Sequence, residues 1–296
     1  MRVAIVDVGA NTLRLLVAVA DGPRVRAVHE EREQLGLGEE VERCGYIGEG
    51  KCARAVEVAR AQSRRALRLG CERIAILVTS PGRQSANGDE FADALRRGTG
   101  APVRILSAEE EGALAWQGAV ASLADPPESI AVCDVGGGSA QIAVGTAAAG
   151  VAWVRSVDLG SRRLTTRLLA GSGDPPSTDA VRAARDAAAE AFASLVPPVA
   201  RCALATGGTA RTLRRVVDVL DAVGLEEAID QLAGLKLAKI GKRYGIAPQR
   251  AATLLAGTIL LSEAQRRLGL AFEVAEGGVR EGSALALFRE SAAAYA

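Results

Sequence analysis

The feature that most constrains this chain is a phrase it contains twice. Residues 3–12 read Val3-Ala4-Ile5-Val6-Asp7-Val8-Gly9-Ala10-Asn11-Thr12, and residues 130–139 read Ile130-Ala131-Val132-Cys133-Asp134-Val135-Gly136-Gly137-Gly138-Ser139. Each copy is an apolar run that ends in Asp-Val-Gly and continues into a second apolar alternation, Leu13 to Ala20 and Ala140 to Val144. Asp134 follows Asp7 by 127 residues, a spacing too long for a solenoid repeat and suited to one domain following another. The duplication predicts two similar domains, each offering an acidic residue and a tight turn to something bound between them. A phosphate-handling cleft is the first expectation.

Composition narrows the chemistry. The 296 residues are 24% charged and 49% hydrophobic, ordinary for a folded chain, with 36 basic against 35 acidic residues. A net charge of +1 and 3% aromatics argue against a nucleic-acid binder, which needs a basic surface and stacking platforms. Only Lys51, Lys236, Lys239 and Lys242 are lysines, so the basic chemistry is almost all arginine, the better planar partner for phosphate oxygens. His29 is the one histidine, which argues against a His-dependent triad or a multi-His metal site. Five cysteines without a Cys-x-x-Cys indicate neither a disulfide framework nor a zinc site, and fit a reduced, cytoplasmic protein. The start shows no signal-peptide pattern, and no apolar stretch is long enough for a membrane span.

Pattern and punctuation place strands at 3–7, 13–20, 74–78, 103–106, 130–145 (as a pair), 153–157 and 201–205. Helices are expected over 50–69, from Asp89, from Ala108 to about Leu123, from Gly160 to about Ala170, over 178–195, after Gly208, through 225–268 with breaks at 245–248, and over 279–289. Residues 79–88 read as a loop. Asp125-Pro126-Pro127 marks the domain boundary, giving 1–124 and 125–296, with the last helix a candidate for returning to the first domain. Strands alternating with crossover helices make both domains α/β.

Three turns can bind anions: Gly9 through Thr12, Gly136-Gly137-Gly138-Ser139, and Gly207-Gly208-Thr209 between a strand and a helix. None matches G-x-G-x-x-G or the P-loop. Asp7 and Asp134 make sense beside phosphate through a divalent cation; the competing reading is that each caps its own turn. Ser107 with Glu110 forms a capping box, which makes Glu110 structural and leaves Glu111 available to orient or deprotonate water, although acidic first turns also arise for dipole reasons alone. Arg14 interrupts an apolar alternation, and Arg83 lies in a polar loop with Ser80 and Asn87. Each is a phosphate clamp or a solvated surface arginine. Arg211, Arg214 and Arg215 either bind at the turn before them or face water.

Taken in order, these motifs resemble the exopolyphosphatase and guanosine pentaphosphate phosphatase family, within the superfamily of acetate and sugar kinases, Hsc70 and actin. The resemblance runs through Asp7–Leu15, Thr79-Ser80 to Gly88, Ser107–Glu111, Asp134–Ser139, Leu159-Gly160 with Arg163-Leu164-Thr165, Gly207–Ala210 and Arg280-Glu281-Gly282. It implies two duplicated actin-like (ribonuclease H-like) domains with an interdomain cleft. It further implies Mg²⁺-dependent hydrolysis of a terminal phosphoanhydride, on inorganic polyphosphate or guanosine pentaphosphate, in a homodimer. By the same resemblance Glu111 is the catalytic residue, and Asp7, Asp134 and Gln141 stand at metal positions. Asp7, Gly9, Asn11, Thr12, Arg14, Arg83, Gly136, Gly137, Gly138, Ser139, Gly207, Gly208 and Thr209 stand at phosphate-binding ones. Departures are Gln141 for a usual glutamate, Ala10 for serine, Ala86 for arginine, and a missing histidine in the diverged stretch 218–234. They leave two other readings open: a polyphosphate or guanosine-nucleotide sensor with weakened catalysis, and a small-molecule kinase of the same superfamily.

Overall fold

The first apolar phrase forms strand β1 (Arg2–Val8), and the alternation after it forms β2 (Thr12–Asp21), antiparallel with Asp7 opposite Arg14. β1 is central in its sheet, so both faces are covered and it reads as an unbroken apolar run. Ala4, Val6 and Val8 pack on one side with Leu37, Val58 and Leu95; Val3 and Ile5 pack on the other with Leu106 and Ala284. The chain continues through β3 (Arg24–Gln34), α1 (Leu37–Cys44), α2 (Glu49–Arg68), β4 (Arg73–Val78), α3 (Ser80–Gln84), α4 (Gly88–Thr99), β5 (Val103–Ile105) and α5 (Ala108–Val120). The sheet order is β3-β2-β1-β4-β5, with β1, β4 and β5 parallel.

The second phrase repeats this plan. β6 (Ile130–Val135), β7 (Ala140–Thr146) and β8 (Gly150–Val157) form the antiparallel part. After them come α6 (Ser161–Leu164), a π turn over Thr165–Leu169, α7 (Thr178–Phe192), β9 (Cys202–Thr206), α8 (Gly207–Leu213), α9 (Ala222–Ala233), α10 (Leu237–Tyr244), α11 (Pro248–Leu268) and β10 (Phe272–Val274). The order β8-β7-β6-β9-β10, with β6, β9 and β10 parallel, is strand for strand that of the first sheet.

The computed structural model describes residues 1–293, which fall into two units: Met1–Ala124 with the chain from Gly277 onward, and Asp125–Glu276. The final helix, α12 (Val279–Ala293), therefore belongs with the first phrase, where it crosses α5. The crossing is backbone against backbone. Gly118 of α5 meets Gly278 and Gly282, and Gly282 lies against the Leu114 carbonyl, with no room for a side chain.

Several elements differ from the sequence expectation. β3 is a strand although its sequence is polar: it is an edge strand, held by pairing along β2, and charged side chains protect such an edge. His29 sits there, 2.8 Å from Glu31. The 79–88 loop contains the short helix α3, and α1 and β10 were not anticipated. The expected helix from Gly160 is one α turn followed by the π turn. α7 stops at Phe192, before Pro197 and Pro198.

Gly282→Ala places a methyl into the Leu114 carbonyl and is expected to lower unfolding free energy by about 2 kcal/mol, the usual scale of overpacking. Urea denaturation with an unchanged midpoint would show that the helix crossing is looser than described.

Candidate active site

Parallel strands finish together, and ligands of α/β sheets gather at the edge where they finish. In the first unit this edge collects the turn after β1, the start of α3 after β4, and the start of α5 after β5. Backbone bonds join them: Thr79 N and Oγ1 both donate to the Val8 carbonyl, at 3.1 and 3.4 Å, and Leu106 N donates to Val78 at 2.9 Å.

Ser107 caps α5 by the expected box. Its Oγ accepts from Glu110 N at 3.0 Å, and Glu110 Oε2 accepts from Ser107 N at 2.8 Å. Glu110 is thereby occupied, and Glu111 is the buried acid of this turn. Arg83 Nη2 donates to Glu111 Oε2 at 2.6 Å, while Nη1 donates to the Leu106 carbonyl at 2.8 Å. The residue expected to clamp phosphate is thus in direct contact with the residue expected to act as base. Asn87 serves elsewhere: its side-chain amide bonds both the N–H and the carbonyl of Ile47, at 2.9 and 2.8 Å.

The two Asp-Val-Gly turns are built alike. Gly9 N donates to the Thr12 carbonyl and Gly136 N to the Ser139 carbonyl, both at 3.0 Å. Thr12 Oγ1 accepts from Arg14 Nε at 3.2 Å, and Ser139 Oγ from Gln141 Nε2 at 2.9 Å. Gln141 therefore occupies in the second unit the place of Arg14 in the first, opposite the aspartate of its own strand pair. It also donates to Ser156 Oγ at 3.3 Å. Each turn is held from behind through its carbonyls. Leu35 and Gly36 donate to Asn11, and Gly38 to Ala10; Ser161 donates to Gly136, and Arg162 and Arg163 to Gly137. Asn11 Oδ1 additionally accepts from Gln34 Nε2 at 2.7 Å.

In the second unit Asp134, one residue before the end of β6, is buried beside Thr206 in the parallel register. Gly207 follows with φ +87°, and a Cβ there would lie 2.8 Å from Asp134 Oδ1, so only glycine fits. The Arg250 guanidinium lies over Gly208. Thr209 is buried with its hydroxyl against Gly257 of α11.

Two arginines near these turns are not among the site residues that the sequence marks. Arg280, from α12, pairs with Glu30 at 2.7 Å and Glu281 at 3.5 Å, and its charge acts on Asp7. Arg250 belongs to α11. Arg280 lies in a motif that carried the family resemblance, but nothing local in the sequence of either arginine marks a site; the fold supplies the proximity. Burial raises the Asp7 carboxyl above its ordinary range, Arg14 and Arg280 oppose the rise, and Glu281 adds to it. Burial, helped by neighbouring Asp134, also pushes the Cys133 thiol up, which makes it a poor nucleophile. No group of three His, Cys, Asp or Glu side chains among the described residues forms a metal cage. The donors fit only the sparse style of Mg²⁺, one or two carboxylates completed by water and phosphate oxygens.

A model of the Ppx/GppA phosphatase family matches residues 16–290. The chain belongs to this family. An uncharacterized protein of Streptomyces coelicolor is 31% identical over 95% of this chain and 89% of its own length. Exopolyphosphatase 2 of Mycobacterium tuberculosis is 28% identical over 97% and 98%, respectively. Among solved structures, the Aquifex aeolicus Ppx/GppA family member has a TM-score of 0.83 at 23% identity, covering 98% of both chains. An exopolyphosphatase-like protein gives 0.85 at 23% identity, covering 98% and 99%. These likenesses establish the actin-like two-domain fold for this Ppx/GppA member.

Because the native carboxyl of Asp7 is raised, its charge costs stability at neutral pH. That cost disappears as pH falls through the raised native value toward the unfolded one. Asp7→Asn is therefore expected to be at least as stable as the parent at neutral pH, with the difference moving in the parent's favour on acidification. Melting temperatures of both proteins across that range check this; a gap independent of pH would contradict it.

Proposed function

We propose that this Ppx/GppA protein is a cytoplasmic exopolyphosphatase-type hydrolase that removes the terminal phosphate of inorganic polyphosphate, with guanosine pentaphosphate a second substrate of the same kind. The observation that carries the reading is the buried Glu111, joined to Arg83 at the edge where β1, β4 and β5 end. Family membership and the relatives named exopolyphosphatase support the substrate class. The cysteines are free, which suits a reducing compartment, and among the described residues no helix is long and apolar enough to cross a membrane.

In this reading the backbone of the Gly9–Thr12, Gly136–Ser139 and Gly207–Gly208 turns receives phosphate oxygens, and Arg14 and Arg83 offset their charge. Glu111 orients a water and takes its proton. The water oxygen bonds to the terminal phosphorus, the bridging P–O bond breaks, and the shortened chain leaves with the bond's electrons. Mg²⁺, when bound, supplies further charge stabilisation of the phosphate oxygens. In the first unit Asp7, and in the second Asp134 with Gln141, are the residues that would serve it, directly or through water.

Gln141 favours one second reading, a polyphosphate or guanosine-nucleotide sensor with weak turnover. A neutral amide engaged with Ser139 and Ser156 is a poorer metal partner than a carboxylate.

Glu111→Gln keeps an oxygen for Arg83 and removes the base. Phosphate release from polyphosphate is expected to fall about a thousand-fold, with the melting temperature little changed. In the parent protein, chelation is expected to stop release and added Mg²⁺ to restore it. A variant with parental turnover rejects Glu111 as the base; a parent that binds polyphosphate tightly without Mg²⁺ and releases nothing is a sensor.

A further inference from the structure

The four lysines of this arginine-rich chain are not scattered. Lys236, Lys239 and Lys242 fall within one short stretch, at the N-cap and along α10, and Arg243 follows. From Gln231 to Ser262 there is no acidic residue at all. All four cationic side chains are exposed. None of them makes an ion pair among the described residues; Arg243 lies 5.3 Å from the ring of Tyr244, and Asp174 is spent on the backbone N–H of Leu237 at 2.8 Å. Lys236, Lys239 and Arg243 recur at helical spacing on one flank, with Ile240 as the buried anchor of the helix.

α10 is connected to the glycine turn of its own unit. Arg215, just beyond α8, donates from Nη1 to the Gly245 carbonyl at the end of α10, at 2.6 Å. α8 itself begins with Gly207 and Gly208, over which Arg250 lies. A row of cations about 12 Å long, the length of eight helical residues, thus lies at the far end of an arginine-bearing path from that turn. The residue type is informative. Guanidinium groups suit a fixed, forked contact, whereas lysine is a flexible, strongly hydrated point charge. A flexible polyanion that must shift along the surface calls for the second kind.

We infer that the α10 strip, Lys236, Lys239, Lys242 and Arg243, is a secondary binding track for the distal phosphates of a long inorganic polyphosphate, and that it makes the protein favour long chains over short ones. The inference rests on the polyphosphate reading above and adds a site to it. The strip lies on a helix that holds none of the proposed catalytic or metal-binding residues.

The test is a triple variant, Lys239→Gln, Lys242→Gln and Arg243→Gln. A control, Arg60→Gln, Arg64→Gln and Arg68→Gln, removes the same charge from an exposed face of α2. Binding of long-chain polyphosphate and of tripolyphosphate is measured for each by titration over a series of salt concentrations, with circular dichroism confirming the fold. The strip variant is expected to bind long chains roughly ten-fold more weakly at low salt, with a shallower salt dependence and a much smaller loss for tripolyphosphate. The control should behave as the parent. Equal losses in the control, equal losses for both ligands, or an unchanged long-chain affinity would each overturn the track. So would a single-stranded oligonucleotide that binds as tightly as long-chain polyphosphate through the same residues. A parent that binds long chains through the strip yet releases no phosphate keeps the track and refutes the hydrolase. A parent that releases phosphate with an indifferent strip does the reverse.

Discussion

Each half of this protein depends on parallel backbone pairing that makes three strands finish at one edge. β1, β4 and β5 do so in one unit and β6, β9 and β10 in the other. Parallel ladders need crossover connections, so β4, β5 and β9 each lead into a helix at that edge, while β1 and β6 turn back there into β2 and β7. That is how residues as far apart in sequence as Gly9, Arg83 and Glu111 come to serve one edge. The turns are not free to sag away from it. Their carbonyls are tied from behind by N–H groups of the segment after the third strand, Leu35–Gly38 in one unit and Ser161–Arg163 in the other. Carbonyls drawn backward leave the opposite face of each turn less electronegative, which is the backbone condition for receiving phosphate.

The duplication also shows where the halves have parted. Asp7 has Arg14 opposite it and a second arginine, Arg280, within electrostatic reach. Asp134 has Gln141 opposite it, and the nearby cation arrives from a distant helix, as Arg250 over Gly208. The first aspartate is thus opposed across its strand pair by a cation, the second by a neutral amide. The same turn architecture therefore supports different electrostatic duties in the two units. This makes Gln141 less of a defect than its family departure suggests: a charged residue at the equivalent position of the first unit is a cation.

What was legible in the sequence was whatever is written locally. The Asp-Val-Gly phrases give the paired strands, Ser107 and Glu110 give the cap, and Asp125-Pro126-Pro127 coincides with the change of unit. β3 was not legible because an edge strand takes its conformation from its neighbour, and its eleven residues alternate without a strong apolar face. α1 was lost for a related reason: between Leu37 and Cys44 it buries few residues and opens with glycines. The contact between Arg83 and Glu111 joins residues from separate helices. Their shared position follows from strand order, which no local pattern records. The same holds for Arg250 and Arg280, each brought to its turn by a helix late in the chain.

The Arg83–Glu111 pair changes how the site must be understood. As separate parts, a phosphate clamp and a base would contribute independently, and loss of either would leave the other intact. As a buried pair they do not. Removing the guanidinium takes a partner from a buried carboxylate, and removing the carboxylate takes a partner from a cation that also donates to the Leu106 carbonyl. Coupling of this kind is non-additive by nature, since each partner fixes the direction of the other. The pair also gives the site a way to respond to substrate. A phosphate oxygen that engages Arg83 Nη2 would compete with Glu111 Oε2 for the same donor, so binding of the anion and the placement of the acid are linked. The edge that gathers the anion is thus the edge that holds the acid, and one guanidinium joins the two.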